Sequence, residues 1–185
     1  MENREIEVRF LEIDKEDLIA KIKALDGEDL GEKKLEETIF YDKERKWAER
    51  HRLVRIRDNG KKIKLSYKEH MSHSIDGSEE VEFEITDKIA GTKFLEKIDL
   101  KAFRFQEKLR HTLSLGDITF DIDTWPRVPT YVEIEGPDEK SLKEVVLKLG
   151  LDWADAVFEN AGFIIEKRYN IPVLNMTYFT FDRFE

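Results

Sequence analysis

Residues 5–9 read Glu-Ile-Glu-Val-Arg, a strict two-residue alternation of charged and apolar side chains. In an extended chain successive side chains point to opposite faces, so this segment has one ionic face and one apolar face. The alternation returns along the chain. Arg55 and Arg57 share a face against Val54 and Ile56, and Lys62, Lys64 and Lys68 oppose Ile63, Leu65 and Tyr67. Glu80, Glu82 and Glu84 oppose Val81, Phe83 and Ile85, while Lys108 and Arg110 flank Leu109. Asp121 and Asp123 oppose Phe120 and Ile122, and Glu133 and Glu135 oppose Val132 and Ile134. One such strand is ordinary in a sheet with one face in water. In the set, basic pairs and acidic pairs fall on different strands, with few Ser, Thr, Asn or Gln among them. That pattern predicts an α+β fold: a closed antiparallel β-barrel of eight strands, charges inside and helices packed outside.

The 185 residues suffice for one domain, expected to span 1–185, with a core of its own. With 32 basic against 41 acidic residues the formal net charge is −9, so there is no basic excess for general nucleic-acid binding. The chain has no cysteine, which removes disulfides, thiolate nucleophiles and Cys-based zinc sites. Residues 1–12 are charged throughout and no run approaches the ~20 apolar residues of a membrane span, so a cytoplasmic protein that does not bind membranes is expected.

The pattern predicts strands at 3–11, 36–43, 52–58, 61–68, 79–85, 104–113, 118–124 and 130–135. Asn59-Gly60 between two alternating runs predicts a hairpin. Helices are expected over 15–25 with Asp14 as N-cap, over 87–98 capped by Thr86, and after Asp138. Gly27 and Gly31 are read as breaks, and 70–78 as a loop. Residues 152–170 read as helical in pieces, and the tail carrying Phe179, Phe181 and Phe184 is expected chiefly to pack in the core. Capping one end of the barrel and a homodimer contact are the tail's alternatives.

A charged barrel interior suits polyphosphate. Arg and Lys neutralise phosphate oxygens, Arg with two donors at once. Carboxylate pairs are hard oxygen ligands for Mg²⁺ or Mn²⁺. These motifs, in order from residue 5 to 135, resemble the CYTH family of triphosphate tunnel metalloenzymes, which includes class IV adenylate cyclases, thiamine triphosphatases and inorganic triphosphatases. Glu5-x-Glu7-x-Arg9 resembles the family's Glu-x-Glu-x-Lys with Arg in the last place. Leu53-Val54-Arg55-Ile56-Arg57 resembles its Leu-Arg-Ile-Arg strand. Lys64 and Lys68, Glu80 and Glu82, Lys108-x-Arg110, Asp121 with Asp123, and Glu133-Ile134-Glu135 follow in the family's order. Lys167-Arg168-Tyr169 stands where the family often has Ser-Tyr, and the tail after Pro172 has no counterpart.

The resemblance implies Glu5, Glu7, Glu133 and Glu135 as ligands of Mg²⁺ or Mn²⁺, assisted by Asp121 or Asp123. It implies Arg55, Arg57, Lys64, Lys68, Lys108, Arg110 and Lys167 as substrate-binding residues, with Arg9, Lys64, Lys108 and Arg110 in catalysis. Arg9 cannot serve as a base, since a guanidinium pKa exceeds ~12. The expected reaction is metal-dependent hydrolysis of the terminal phosphate of tripolyphosphate, thiamine triphosphate or ATP. A class IV adenylate cyclase and a non-catalytic polyphosphate or nucleotide binder are the alternatives. His70 and His73 are expected at the surface, His111 packed beside Leu109, and Trp47, Trp125 and Trp153 in core or lid roles.

Overall fold

The structure, a computed structural model, describes residues 4–70 and 78–185, with side chains from Ile6 to His70 and from Glu79 onward. Glu5's side chain, His73 and the interior of the expected 70–78 loop lie outside the described residues. The strands are β1 (Arg4–Glu5), β2 (Glu7–Phe10), β3 (Glu28–Asp42), β4 (Arg52–Asp58), β5 (Ile63–His70), β6 (Ser78–Ile85), β7 (Leu100–Leu115), β8 (Ile118–Thr124), β9 (Tyr131–Glu135) and β10 (Tyr178–Phe179). The helices are α1 (Lys15–Ala24), α2 (Lys46–Glu49), α3 (Lys88–Lys97), α4 (Glu139–Lys148) and α5 (Ala161–Lys167).

One curled antiparallel sheet runs in the order β1-β6-β5-β4-β3-β7-β8-β9-β2, with the short β10 added in parallel to β7. Counting β1 and β2 as two pieces of one N-terminal stave, eight staves form a half-barrel. The sheet is not the expected closed barrel. The first strand is not continuous over 3–11 but interrupted at Ile6, and it changes neighbours there. Its β2 part pairs with β9 over Glu7–Phe10, whereas its β1 part meets β6 only through Arg4↔Glu79 and Glu5↔Ser78. No stave therefore carries full ladders on both edges at the seam.

The alternation decides which way each face points. Val8, Phe120, Ile122, Val132 and Ile134 turn outward and pack with Leu18 and Ile22 of α1 and Leu142, Val145 and Val146 of α4. Phe40, Val54, Ile56 and Leu65 do the same beneath Leu95 of α3. The helices begin where the sequence supplies caps: Asp14 Oδ1 accepts from Asp17 N (3.0 Å), and Asp138 Oδ1 from Ser141 N (2.8 Å). Such a cap stabilises by about 1 kcal/mol. The N-cap of α3 is Asp87 rather than Thr86, because the Asp87 carboxylate reaches two amides, Ile89 N and Ala90 N. Asn59 closes the β4–β5 hairpin, its side chain accepting from Lys61 N and Lys62 N.

Two strands are longer than the sequence suggests. β3 passes through Gly31 instead of stopping there, since the glycine adopts φ +80° at a register shift and the ladder to β7 resumes beyond it. β7 begins at Leu100 rather than Arg104.

Candidate active site

The ionic faces of the staves point inward around a cavity of about 520 Å³. Each strand contributes every second residue: Glu7 and Arg9 from β2, Arg55 and Arg57 from β4, Lys64 and Lys68 from β5, Glu80 and Glu82 from β6, Lys108 and Arg110 from β7, Asp121 from β8, Glu133 and Glu135 from β9. Segregation of charge by strand now has a consequence. A basic strand lies beside an acidic one, with Arg110 opposite Asp123 and Lys68 opposite Glu80, so cations and carboxylates meet across the ladder.

Arg110 is the hub on one wall. Its Nε and Nη2 each lie 2.6 Å from an Asp123 oxygen, its Nη2 lies 2.6 Å from Glu133 Oε2, and its Nη1 bonds Asp121. Lys108 Nζ donates to Asp123 Oδ2 (2.6 Å) and sits 4.7 Å from the centre of the Trp125 ring. Arg9 bridges β2 and β9: Nη2 to Glu7 Oε1 and Nε to Glu133 Oε1, both 2.9 Å, while Nη1 donates to the Glu159 carbonyl (3.0 Å). On the opposite wall Arg55 reaches Glu80 Oε1 (3.0 Å) and Glu37 Oε1 (3.5 Å), and Arg57 donates to Glu37 Oε1 (2.7 Å). Lys68 Nζ lies 3.3 Å from Glu80 Oε2 and 3.8 Å from Glu7 Oε1, and Lys64 pairs with Glu82.

These pairs fix protonation. Burial alone would raise the carboxyls of Glu7 and Glu133, yet Arg9 in both cases, with Lys68 at Glu7 and Arg110 at Glu133, holds them below the usual range. Glu37 behaves likewise beside Arg57 and Arg55. Burial would likewise lower Arg9, but Glu7 and Glu133 raise it above its ordinary value, so Arg9 stays charged. Lys108 moves the opposite way from Arg9: burial and neighbouring Arg110 depress it despite Asp123 and Glu133.

The expected substrate-binding residues Arg55, Arg57, Lys64, Lys68, Lys108, Arg110 and Lys167 thus all line one cavity, Lys167 as an exposed residue. Of the expected metal ligands, Glu7, Asp121, Glu133 and Glu135 line it, and Asp123 lies fully buried behind Arg110. The donor set suits a hard cation in chemistry, because Glu7 and Glu133 are anions. Among the described residues, however, no three carboxylates or histidines gather about one point that could hold a metal, as Arg9 and Arg110 stand between them.

Sequence reasoning missed Glu37, Arg104 and Gln106. Glu37 Oε2 accepts from Gln106 Nε2 (2.6 Å), Gln106 Oε1 accepts from Arg104 Nε (2.6 Å), and Arg104 Nη1 donates to the Val173 carbonyl (2.8 Å). Parity with Lys108 and Arg110 was the available signal for Arg104 and Gln106. His70 is buried and lines the cavity rather than the surface, because it continues the inward face of Lys64 and Lys68. His111 pairs with Asp29 (2.7 Å) and takes no part in the cavity. Trp125 is a core residue, and Phe179 of the tail stacks on it at 5.6 Å.

The CYTH domain model matches residues 3–156. The chain belongs to the CYTH family. Its fold is shared with the PH1012 protein of Pyrococcus horikoshii OT3 (24% identity, TM-score 0.71, covering 84% of this chain and 96% of that one). A candidate adenylate cyclase of Vibrio parahaemolyticus is similar at 14% identity and TM-score 0.74, covering 90% and 99%. A candidate adenylyl cyclase of Hippeastrum, described as having a dominant triphosphatase activity, is similar at 17% identity and TM-score 0.63, covering 92% and 96%. No curated protein matches the chain. Among the described residues of this CYTH protein, no helix is long and apolar enough to cross a membrane.

Proposed function

We propose that this CYTH protein is a divalent-metal-dependent triphosphatase that hydrolyses the terminal phosphate of a triphosphate held inside the curled sheet. The observation that carries the reading is the convergence of Arg55, Arg57, Lys64, Lys68, Lys108 and Arg110 from three strands on one cavity. Phosphoryl transfer needs positioning and charge stabilisation above all, and a wall of fixed cations supplies both. Water oxygen forms a bond to the terminal phosphorus while the bridging P–O bond breaks. Orthophosphate and the shortened diphosphate leave, and the water's proton passes to solvent.

Arg55 and Arg57 grip the phosphates from one wall and Lys108 and Arg110 from the other, with Lys64 and Lys68 between Arg55 and the carboxylates of β6. Arg9, permanently charged and tied to Glu7 and Glu133, stabilises charge and holds those carboxylates in place rather than removing a proton. Glu7, Glu133 and Glu135, assisted by Asp121 or Asp123 and by Glu5, would hold Mg²⁺ or Mn²⁺, which supplies a Lewis acid toward phosphate oxygens. Triphosphatase activity in the Hippeastrum protein of the same fold supports this reading.

The test is to incubate the protein with tripolyphosphate, thiamine triphosphate and ATP plus Mg²⁺ or Mn²⁺ and resolve products by mass spectrometry. Orthophosphate is expected. Cyclic AMP with pyrophosphate would instead establish a cyclase, and tight binding without product a non-catalytic binder. Glu7→Ala and Glu135→Ala should each lower metal-dependent turnover by at least about tenfold. Full activity in both would overturn the ligand set.

A further inference from the structure

Glu37 differs from the carboxylates around it. Its side chain is 1% exposed, against 11% to 18% for Glu7, Glu80, Asp121 and Glu133. Donors occupy both of its oxygens. Oε1 accepts from Arg57 Nε (2.7 Å) and lies 3.5 Å from Arg55 Nη1, while Oε2 accepts from Gln106 Nε2 (2.6 Å). The ladder explains this arrangement. Gln106, Glu37, Arg57 and Lys64 form one rung across β7, β3, β4 and β5, and the next rung carries Arg104, Ile39 and Arg55. Ile39 offers Arg104 no partner, so Arg104 Nε donates to Gln106 Oε1 (2.6 Å) and its Nη1 to the Val173 carbonyl (2.8 Å). Val173 lies beyond residues 3–156, the stretch that matches the family model.

A buried carboxylate with both oxygens engaged and no water to replace its donors does not release them when an anion arrives. Arg57 gives Glu37 its Nε and makes no other ion pair among the described residues, so both Nη groups are left for a ligand. An arginine already held in this way loses less side-chain entropy on taking phosphate.

Resting on the reading of the cavity as a triphosphate site, we infer that Glu37 is a positioning residue for Arg57 and Arg55. It fixes both in the orientation that takes phosphate, and Gln106 and Arg104 tie that orientation to the C-terminal segment at Val173. A counter-charge alone would act in the other direction, since an anion in the wall of an anion site opposes binding.

Glu37→Gln separates the two roles by sign. Titration calorimetry with inorganic tripolyphosphate should show affinity about tenfold weaker than wild type, whereas loss of a mere counter-charge would make binding tighter. Glu37→Asp keeps the charge but draws the carboxylate back by one methylene. Gln106→Met alters no charge and removes only the amide. Each should weaken binding at least about threefold. Arg57→Ala should cost less affinity in the Glu37→Gln background than in wild type, because an arginine no longer held contributes less. Tighter or unchanged binding by Glu37→Gln would overturn the inference. So would additive losses in that cycle, or full affinity in both Glu37→Asp and Gln106→Met. Thermal unfolding identifies a variant that has lost its fold, and the nearly isosteric Gln106→Met then decides. Calorimetry reads binding without turnover, so wild-type protein that binds tripolyphosphate but releases no orthophosphate from it, thiamine triphosphate or ATP would overturn the triphosphatase reading and not this one.

Discussion

Glu80 links the charge network to folding through a single proton. Burial would raise its carboxyl, but Arg55 and Lys68 outweigh that and hold it down to about 2, against 4.5 for an unperturbed glutamate. A depressed carboxyl contributes stability that is complete above the unfolded pKa and disappears as pH falls through the folded one. For Glu80 the window runs from about pH 4.5 down to about pH 2, and the contribution is on the order of 3 kcal/mol. Denaturant unfolding across that window should show Glu80→Gln less stable than wild type at pH 7, the gap closing as the solution is acidified. A constant gap down to pH 2 would mean that the Arg55 and Lys68 pairs add nothing to folding. Glu37, lowered by the same physics beside Arg57 and Arg55, keeps part of the acid dependence in the variant.

At the scale of elements the C-terminal tail has the clearest effect on the site. Phe179 of β10 is fully buried, stacked on Trp125 and tilted against Phe184 at 5.5 Å. Trp125 in turn lies under Lys108 and donates to the Tyr131 hydroxyl (2.9 Å). Phe179→Ala should cost about 3–5 kcal/mol through the cavity it leaves, read as a lower Tm, and should shift Trp emission as the indole loses its cover. Unchanged stability and emission would show that the tail only rests on the sheet. The tail was hard to place from sequence because Phe179, Phe181 and Phe184 follow neither a period of two nor one of 3.6. The inward faces of β4, β8 and β9, and the Lys108–Arg110 end of β7, were legible because their charges alternate with apolar residues, whereas Glu107 breaks the alternation on β7 and hid Gln106 and Arg104. Glu37 was hidden by the same rule: its inward neighbours Ile39 and Tyr41 are apolar, so the cavity face of β3 imitates an outward one. The break at Ile6 could not be read either, since local alternation is unaffected when a strand exchanges one partner for another.

For the molecule as a whole, a net charge of −9 surrounds a cavity whose cations are already engaged by carboxylates. A triphosphate cannot simply be added, because each phosphate oxygen must take Arg110, Lys108 or Arg55 from Asp123, Glu133 or Glu80. The carboxylates released would then face one another at close range, which a divalent cation would relieve. Polyphosphate and metal should therefore bind with positive coupling, each improving the other's affinity by the same factor. Thermal unfolding with tripolyphosphate alone, Mn²⁺ alone, and both together measures that coupling. Each ligand alone should raise Tm modestly by mass action. The pair should exceed the sum of the two shifts by roughly 2–10 °C, from a coupling of about 1–3 kcal/mol in a chain of this size. Additive shifts would mean that the carboxylates keep their cations when phosphate arrives, and the cavity would then bind metal and anion at independent places.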